Sequence, residues 1–211
     1  RYFPIIEERL RANGVPDDFK YLCVAESNLE HAVSRSGAVG FWQFMSYTAP
    51  GYNLEISKDV DERYNVVKAT DAACKYLKAA YKKFGTWTAA AASYNCGQGG
   101  YQKRSTVQGI RNYYDLQLPE ETNRYMFRIL SFKYLLENHE RMGFIFCNDD
   151  LYRPVSTRVY KVEKSIANLA KFAIEQGTTY KMLKNLNPWL RSASIEVKPG
   201  KSYLIRLPAD N

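Results

Sequence analysis

The sequence predicts a mainly α-helical N-terminal domain followed by a small α+β module ordered strand, helix, helix, strand. Three observations carry this expectation. Apolar residues recur at three- and four-residue steps through much of the chain before Cys147. Composition then shifts, and Asn148-Asp149-Asp150 with Arg153-Pro154 reads as a linker. Beyond it, Thr157 to Glu163 and Ser202 to Leu207 alternate in the manner of strands. The expected division is residues 1–150 and 151–211.

The elements follow in order. Pro4 to Ala12 carries Ile5, Ile6 and Leu10 and stops at Asn13-Gly14. Pro16-Asp17-Asp18 opens a second helix, with proline and acids at its positive dipole end. This helix carries Leu22, Cys23 and Ala25 and finishes near Glu26-Ser27. His31 to Phe41, with Gly37 and Gly40, reads as a loop. The clearest helix runs from Val66 to Phe84, with Val66, Thr70, Ala73, Cys74, Leu77, Ala80, Tyr81 and Phe84 on one stripe. An Ala-rich helix spans Trp87 to about Tyr94, small enough to pack closely. Asn95 to Gly100 reads as a Gly-rich turn. It lacks the Lys-Ser/Thr pair and the preceding strand that a phosphate loop needs. Glu121 to Asn138 is helical again, with Tyr125, Ile129, Phe132 and Leu136 on one face. In the C-terminal part, helices are expected over Ile166 to Ile174 and Tyr180 to Leu186.

Composition narrows the partners. The net charge of +8 allows an anionic partner, but no dense Lys/Arg block marks a nucleic-acid arm. Seventeen tyrosines and three tryptophans supply flat amphipathic surfaces for sugars or interfaces, although about half should be ordinary core. No apolar run is long enough to span a bilayer. No signal peptide is seen, and the opening Arg1-Tyr2-Phe3-Pro4 falls in mid-pattern, so an N-terminal piece is expected to be missing. Cys23, Cys74, Cys96 and Cys147 form no C-x-x-C pair, and with only His31 and His139 present neither a metal site nor a cofactor is expected. Free thiols and disulfides both remain open.

Glu26 is the residue with chemical promise. It closes the apolar run Phe19-Lys20-Tyr21-Leu22-Cys23-Val24-Ala25, just ahead of the Gly-rich aromatic stretch Ser36 to Met45. A carboxyl at the end of a core-facing helix is partly desolvated, which raises its pKa and keeps it protonated near neutrality. A protonated acid beside an open aromatic-lined groove is what glycosidic cleavage needs. The plainer reading is a solvated glutamate on a polar helix face.

Further motifs fall in a recognisable order. After Phe19-Lys20-Tyr21-Leu22 and Glu26-Ser27 come Ser34 and Gly37-Ala38-Val39-Gly40-Phe41-Trp42-Gln43-Phe44-Met45. Then follow Val60-Asp61-Glu62-Arg63, Ala92-Ser93-Tyr94-Asn95-Cys96-Gly97-Gln98-Gly99 and Leu118-Pro119-Glu120-Glu121-Thr122-Asn123-Arg124-Tyr125. In this order they resemble the catalytic domain of the lytic murein transglycosylases, most closely the membrane-bound type D branch. The resemblance implies a lysozyme-like, mostly α fold. It also implies Glu26 as the sole catalytic acid and base, with Ser34, Gln43, Met45, Tyr94, Asn95 and Tyr125 lining the substrate groove. Ser46 stands where proline is common, Cys96 replaces the usual alanine, and Cys23 occupies a small apolar site. A Cys23–Cys96 contact is conceivable. Phe41, Trp42 and Phe44 could stack on sugars or pack in the core, with the core expected for at least one. Asp61 and Glu62 are expected to brace the fold through Arg63.

The C-terminal part resembles a LysM module in Val159 to Val162, Tyr180 to Leu190 and Lys198 to Lys201. The family's Gly-Asp-Thr stretch is absent, and Glu163-Lys164-Ser165-Ile166 stands in its place. That loop forms part of the sugar groove in the family, so glycan binding and a spacer or docking role are both open.

One carboxyl implies one chemistry. Inverting hydrolysis needs a second carboxylate for water, and typical retaining hydrolysis needs a carboxylate nucleophile. None of the matched motifs is expected to supply a second carboxylate to the cleft. The expected activity is therefore non-hydrolytic cleavage of the MurNAc–GlcNAc β-1,4 bond in peptidoglycan, giving 1,6-anhydro-MurNAc ends. A lysozyme-type hydrolase on the same fold and a non-enzymatic cell-wall binding protein are the alternatives. The partner is the peptidoglycan glycan strand, not nucleic acid. A monomer in the periplasm or at the outer membrane is expected, with membrane association through the missing anchor.

Overall fold

The computed structural model describes residues 1–209, leaving aside the Asn148 side chain. Among these are eight α-helices and one two-stranded sheet. The helices are α1 (Phe3–Ala12), α2 (Phe19–Ser27), α3 (Val66–Phe84), α4 (Trp87–Cys96), α5 (Gln98–Gln108), α6 (Glu120–Glu137), α7 (Leu169–Glu175) and α8 (Tyr180–Leu186). Strands β1 (Thr157–Val162) and β2 (Tyr203–Pro208) pair antiparallel, with Thr157 opposite Pro208 and Val162 opposite Tyr203.

Helix α2 is the hub of the first core. Phe19, Tyr21, Leu22, Cys23, Val24 and Ala25 are all buried, so the helix is enclosed on nearly every side. It packs against α1 and α6, while α4 packs between α3, α5 and α6. Asn65 and Thr86 cap α3 and α4 by accepting the amides of Lys68 and Ala89. The Ala89–Ala92 run is buried, which lets α4 approach its neighbours closely.

Two boundaries differ from the sequence reading. The Asn95–Gly100 segment is not one turn. Helix α4 continues to Cys96, Gly97 breaks it at φ 75°, and Gln98-Gly99-Gly100 forms the first turn of α5. The two glycines weaken the local helical signal, but Tyr101 is 1% exposed and fixes α5 to the core. Ile166 lies before α7 rather than in it. It pairs with Ile195, and Asn168 starts the helix by accepting the Lys171 amide.

The loop Val33–Phe44 is held from beneath by a buried ion pair. Arg63 donates from Nε and Nη2 to the two Asp61 carboxylate oxygens at 2.9 and 2.7 Å. Its Nη1 donates to the carbonyls of Gly37 and Phe44 at 3.3 and 3.2 Å. One guanidinium thus satisfies its own burial and ties both ends of the turn. Asp61 braces the fold through Arg63 as the motif implies, and Glu62 accepts from the Lys68 ammonium and the Glu55 amide.

A second core gathers Val162, Leu169, Phe172, Leu183, Trp189, Leu190, Ile195, Tyr203, Ile205 and Leu207. Asn187 is fully buried. It donates to the carbonyls of Leu183 and Arg206 and accepts the Arg206 amide, joining the end of α8 to β2. Val39, Val60 and Tyr64 belong to this core although they lie far before it in sequence, in the N-terminal part.

Gly40 gives this arrangement a sharp test. Its φ is +81°, and a Cβ there would sit 2.2 Å from the Arg63 carbonyl oxygen. Gly37 has φ +87° but faces open space. Denaturant unfolding of Gly40→Ala should show a loss of about 2–4 kcal/mol, from strain and backbone displacement together. Gly37→Ala should lose only about 1–2 kcal/mol. Equal losses at the two sites would contradict the close approach of Gly40 to Arg63.

Candidate active site

Glu26 occupies the second-last position of α2. The helix ends abruptly because Asn28 and Leu29 both adopt left-handed backbone conformations, at φ 52° and 58°. Asparagine tolerates this, whereas leucine does so at a cost of about 1–2 kcal/mol. The turn is anchored by Ser27, whose hydroxyl donates to the Phe41 carbonyl at 2.9 Å. Glu26 is thereby fixed between the helix hub and the Val33–Phe44 loop.

The Tyr125 hydroxyl, from α6, donates to Glu26 Oε1. Burial raises the Glu26 pKa above its ordinary 4.5. The Tyr125 hydrogen bond and the Arg128 charge pull it down, while the Glu121 charge pushes it up. The net direction is upward because burial is the largest contribution. Burial and the nearby Glu26 also push the Tyr94 and Tyr125 phenols well above their usual 10, so both remain proton donors.

The other expected groove residues divide by what they bond to. Tyr94 donates to the Trp42 carbonyl at 2.7 Å, not to Glu26. Asn95 accepts from Thr122 at 2.8 Å and donates to Glu121 at 3.2 Å, which ties α4 to the start of α6. Gln43 has φ 52° and donates from its side-chain amide to the carbonyls of Ala32 and Gly40. Ser34 accepts the Ala38 amide at 2.9 Å and closes the loop on itself. Met45 is half-buried, and its carbonyl accepts the Thr48 hydroxyl and the amides of Thr48 and Ala49. Tyr125 alone among these has a side-chain hydrogen bond to Glu26.

The core placement expected for at least one of the three loop aromatics holds for all of them. Phe41, Trp42 and Phe44 are 2%, 0% and 5% exposed, so none presents a face to a sugar. Trp42 donates its indole N–H to Thr70 at 2.9 Å inside the core. Within the matched motifs one further carboxylate, Glu121, has a charge that reaches Glu26. Glu121 lies with Glu120, Arg124, Tyr125 and Arg128 along an open groove of about 390 Å³, and its charge acts on Glu26. Glu121 lies within the quoted Leu118–Tyr125 motif. It lies one turn before Tyr125 on α6, and its proximity to Glu26 emerges only when α6 is set against α2. The Cys23 and Cys96 thiols do not pair. Cys23 donates to the Phe41 carbonyl, and all four cysteines are free. Among the described residues, no three His, Cys, Asp or Glu side chains converge to hold a metal ion. A separate cleft of about 270 Å³, lined by His31, Tyr64, Met182, Trp189 and Leu204 among others, contains none of the expected groove residues.

The sign of the Glu26 effect on stability follows from its raised pKa. Above pH 4.5 the unfolded chain releases this proton while the folded protein keeps it. Stability therefore falls as pH rises through the folded pKa. Glu26→Gln retains an acceptor for Tyr125 and removes the cost of burying a charge. Its melting temperature should exceed the parent's at about pH 8 and match it at about pH 4. A difference independent of pH would show that the carboxyl is not strained by burial.

Comparison with known proteins comes to the same place. The transglycosylase SLT domain matches residues 3–116, and the soluble lytic transglycosylase C-terminal LysM-like domain matches residues 158–211. The chain is similar to membrane-bound lytic murein transglycosylase D of Escherichia coli (strain K12), at 28% identity over 210 residues. The match covers 97% of this chain and 46% of the relative, and the same figures hold for the protein of that name in Escherichia coli O6:H1. The chain thus spans about half the length of the curated relatives it matches. The fold is a lysozyme-like helical domain followed by a small α+β LysM-like domain. With more than half of its residues matched in order, from α1 through the segment that follows α5, this chain belongs to the transglycosylase SLT domain family.

Proposed function

We propose that this chain is a peptidoglycan lytic transglycosylase. The observation that carries the reading is the desolvated Glu26 carboxyl, hydrogen-bonded by Tyr125, which itself lines an open groove. Family membership and the relatives named as lytic murein transglycosylases support it. Glu26 protonates the oxygen between N-acetylmuramic acid and N-acetylglucosamine as the C1–O bond breaks. The 2-acetamido group of the muramic acid assists the developing positive charge. The Glu26 carboxylate then removes the C6 hydroxyl proton, and O6 bonds to C1 of the same sugar to give the 1,6-anhydro ring. Water is neither consumed nor required.

The remaining residues act around this step. Tyr125 orients Glu26 and moderates its pKa. Tyr94, Gln43 and Ser34 hold the loop and the α4 wall against which the glycan lies, Asn95 ties that wall to α6, and Met45 contacts the glycan from the loop. Division into a catalytic part before about residue 150 and a module after it suits these roles. We place the site of action in the cell envelope, with the glycan strand as partner, the protein as a monomer and membrane association through a segment outside this sequence.

Glu121 gives a specific foothold to the hydrolase reading, since it is a second carboxylate whose charge reaches Glu26. Two facts count against it as a water-activating base. It accepts the Asn95 amide at 3.2 Å, and it sits on the exposed face of α6. Mass spectrometry of digested peptidoglycan separates the readings. Anhydro-muramic ends are expected from the parent and from Glu121→Gln alike. Reducing muramic ends that vanish in Glu121→Gln would establish hydrolysis.

Glu26→Gln should lose roughly a hundred- to ten-thousand-fold in rate, the usual contribution of a general acid or base. In the parent, activity should fall as pH rises through the raised Glu26 pKa. Tyr125→Phe removes a hydrogen bond that favours the carboxylate. The alkaline limb of its pH–rate profile should therefore move to higher pH while the limiting rate falls. An unmoved or lowered limb would contradict the role given to Tyr125.

A further inference from the structure

The C-terminal module is fastened to the catalytic part along a continuous seam. Val60 and Leu190 form an antiparallel bridge, flanked by the Asp61 amide donating to the Trp189 carbonyl at 2.9 Å and the Arg191 amide donating to the Asp59 carbonyl at 2.8 Å. Ser192 donates to the Lys58 carbonyl at 3.1 Å, and the Glu196 amide donates to Asp59 Oδ2 at 3.1 Å. Glu55 accepts from Lys201 at 2.5 Å and from the Tyr203 hydroxyl at 3.0 Å. The Arg191 guanidinium covers the Tyr64 ring at 4.1 Å. Beneath these bonds the two parts share one hydrophobic core.

Two of the residues so engaged also belong to the substrate-side loop and its support. Val39 pairs with both Val33 and Phe44 and is 5% exposed within the shared core. Asp61, bonded through its amide to Trp189, is the carboxylate that orients Arg63, and Arg63 holds the Gly37 and Phe44 carbonyls. The module's own loops are likewise occupied. Ile166 and Ile195 exchange two backbone bonds of 2.9 Å, and the Ser165 hydroxyl accepts the Val197 amide.

We propose that the C-terminal module is a brace for the catalytic groove, positioning the Val33–Phe44 loop through Val39 and through the Trp189–Asp61–Arg63 chain of contacts. Its seam edge is a docking surface for the catalytic part of the same chain. The module acts on turnover by keeping the loop in register with Glu26, to which Ser27 and Phe41 connect it. Its residues are positioning residues and none touches the reacting atoms.

The test uses the full chain. Glu55→Ala with Asp59→Ala removes the polar ties at the half-buried rim and leaves both cores intact. Leu190→Ala loosens the shared core by a second route. Amide hydrogen exchange at Val39 and Asp61 should quicken by about tenfold or more in both variants, together with that at Arg191 and Glu196. On glycan strands, kcat should fall while KM stays within about twofold, since a brace affects the transition state more than ground-state binding. Faster exchange at Arg191 and Glu196 with unchanged exchange at Val39 and Asp61 would overturn the proposal. A raised KM with unaltered kcat would also overturn it, marking the module as a substrate-binding unit instead. The kinetic arm rests on the proposed activity. The exchange arm does not, so a failure of the brace and a failure of the enzymatic reading give different results.

Discussion

The buried Asp61–Arg63 pair is the constraint around which the molecule is arranged. Side chains at 11% and 9% exposure have lost most of their hydration. Such a pair persists only when nearly every donor and acceptor is satisfied, and breaking it by truncating one partner costs about 3–5 kcal/mol. Here the compensation is spread over three structural regions. Arg63 draws in the two ends of the Gly37–Phe44 turn, Asp61 caps the 3-10 turn Glu62–Tyr64, and the Asp61 amide engages Trp189 of the second module. Gly40 completes the arrangement, because only a residue without a Cβ fits over the Arg63 carbonyl. One ion pair thereby links the loop beside Glu26 to an element far away in sequence.

The electrostatics of Glu26 is a balance with a clear winner. Tyr125 and Arg128 favour its ionised form, while burial and Glu121 disfavour it. The helix end adds to the disfavour, since Glu26 lies in the last turn of α2, at the negative pole of its dipole. A carboxyl in the first turn would face the opposite field. Placing the acid at the C-terminal end of a buried helix favours its protonated form, and the Tyr125 hydroxyl, by favouring the carboxylate, keeps it from becoming too weak an acid to give that proton up. Acid and base work by one side chain requires this intermediate setting.

Much of this was legible in the sequence, and the gaps have physical reasons. The stripe from Val66 to Phe84 and the alternation around Ile205 signal their elements because burial on one face imposes a period. Glu26 and Tyr125 stood out through their motifs, and the packing of α6 on α2 joins them by a hydrogen bond. Helix α5 did not, because Gly99 and Gly100 occupy its first turn and its stability comes from Tyr101 in the core. Phe41, Trp42 and Phe44 carry no local mark that separates a sugar platform from a core residue. Their burial is decided by the first core that closes over them, as in the Trp42 bond to Thr70 of α3. Glu121 was passed over because its proximity to Glu26 depends on how α6 crosses α2. The seam with the second module was equally hidden, since β-bridges between Val60 and Leu190 leave no periodic trace.

The central claim is that desolvation raises the Glu26 carboxyl above its ordinary pKa. Its direct measure is an NMR titration of the protein carrying a ¹³C-labelled glutamate carboxyl, with Glu26→Gln assigning the resonance. The account predicts a midpoint clearly above the ordinary 4.5, moving higher still when Tyr125 is replaced by phenylalanine. A Glu26 midpoint at or below 4.5 would contradict it.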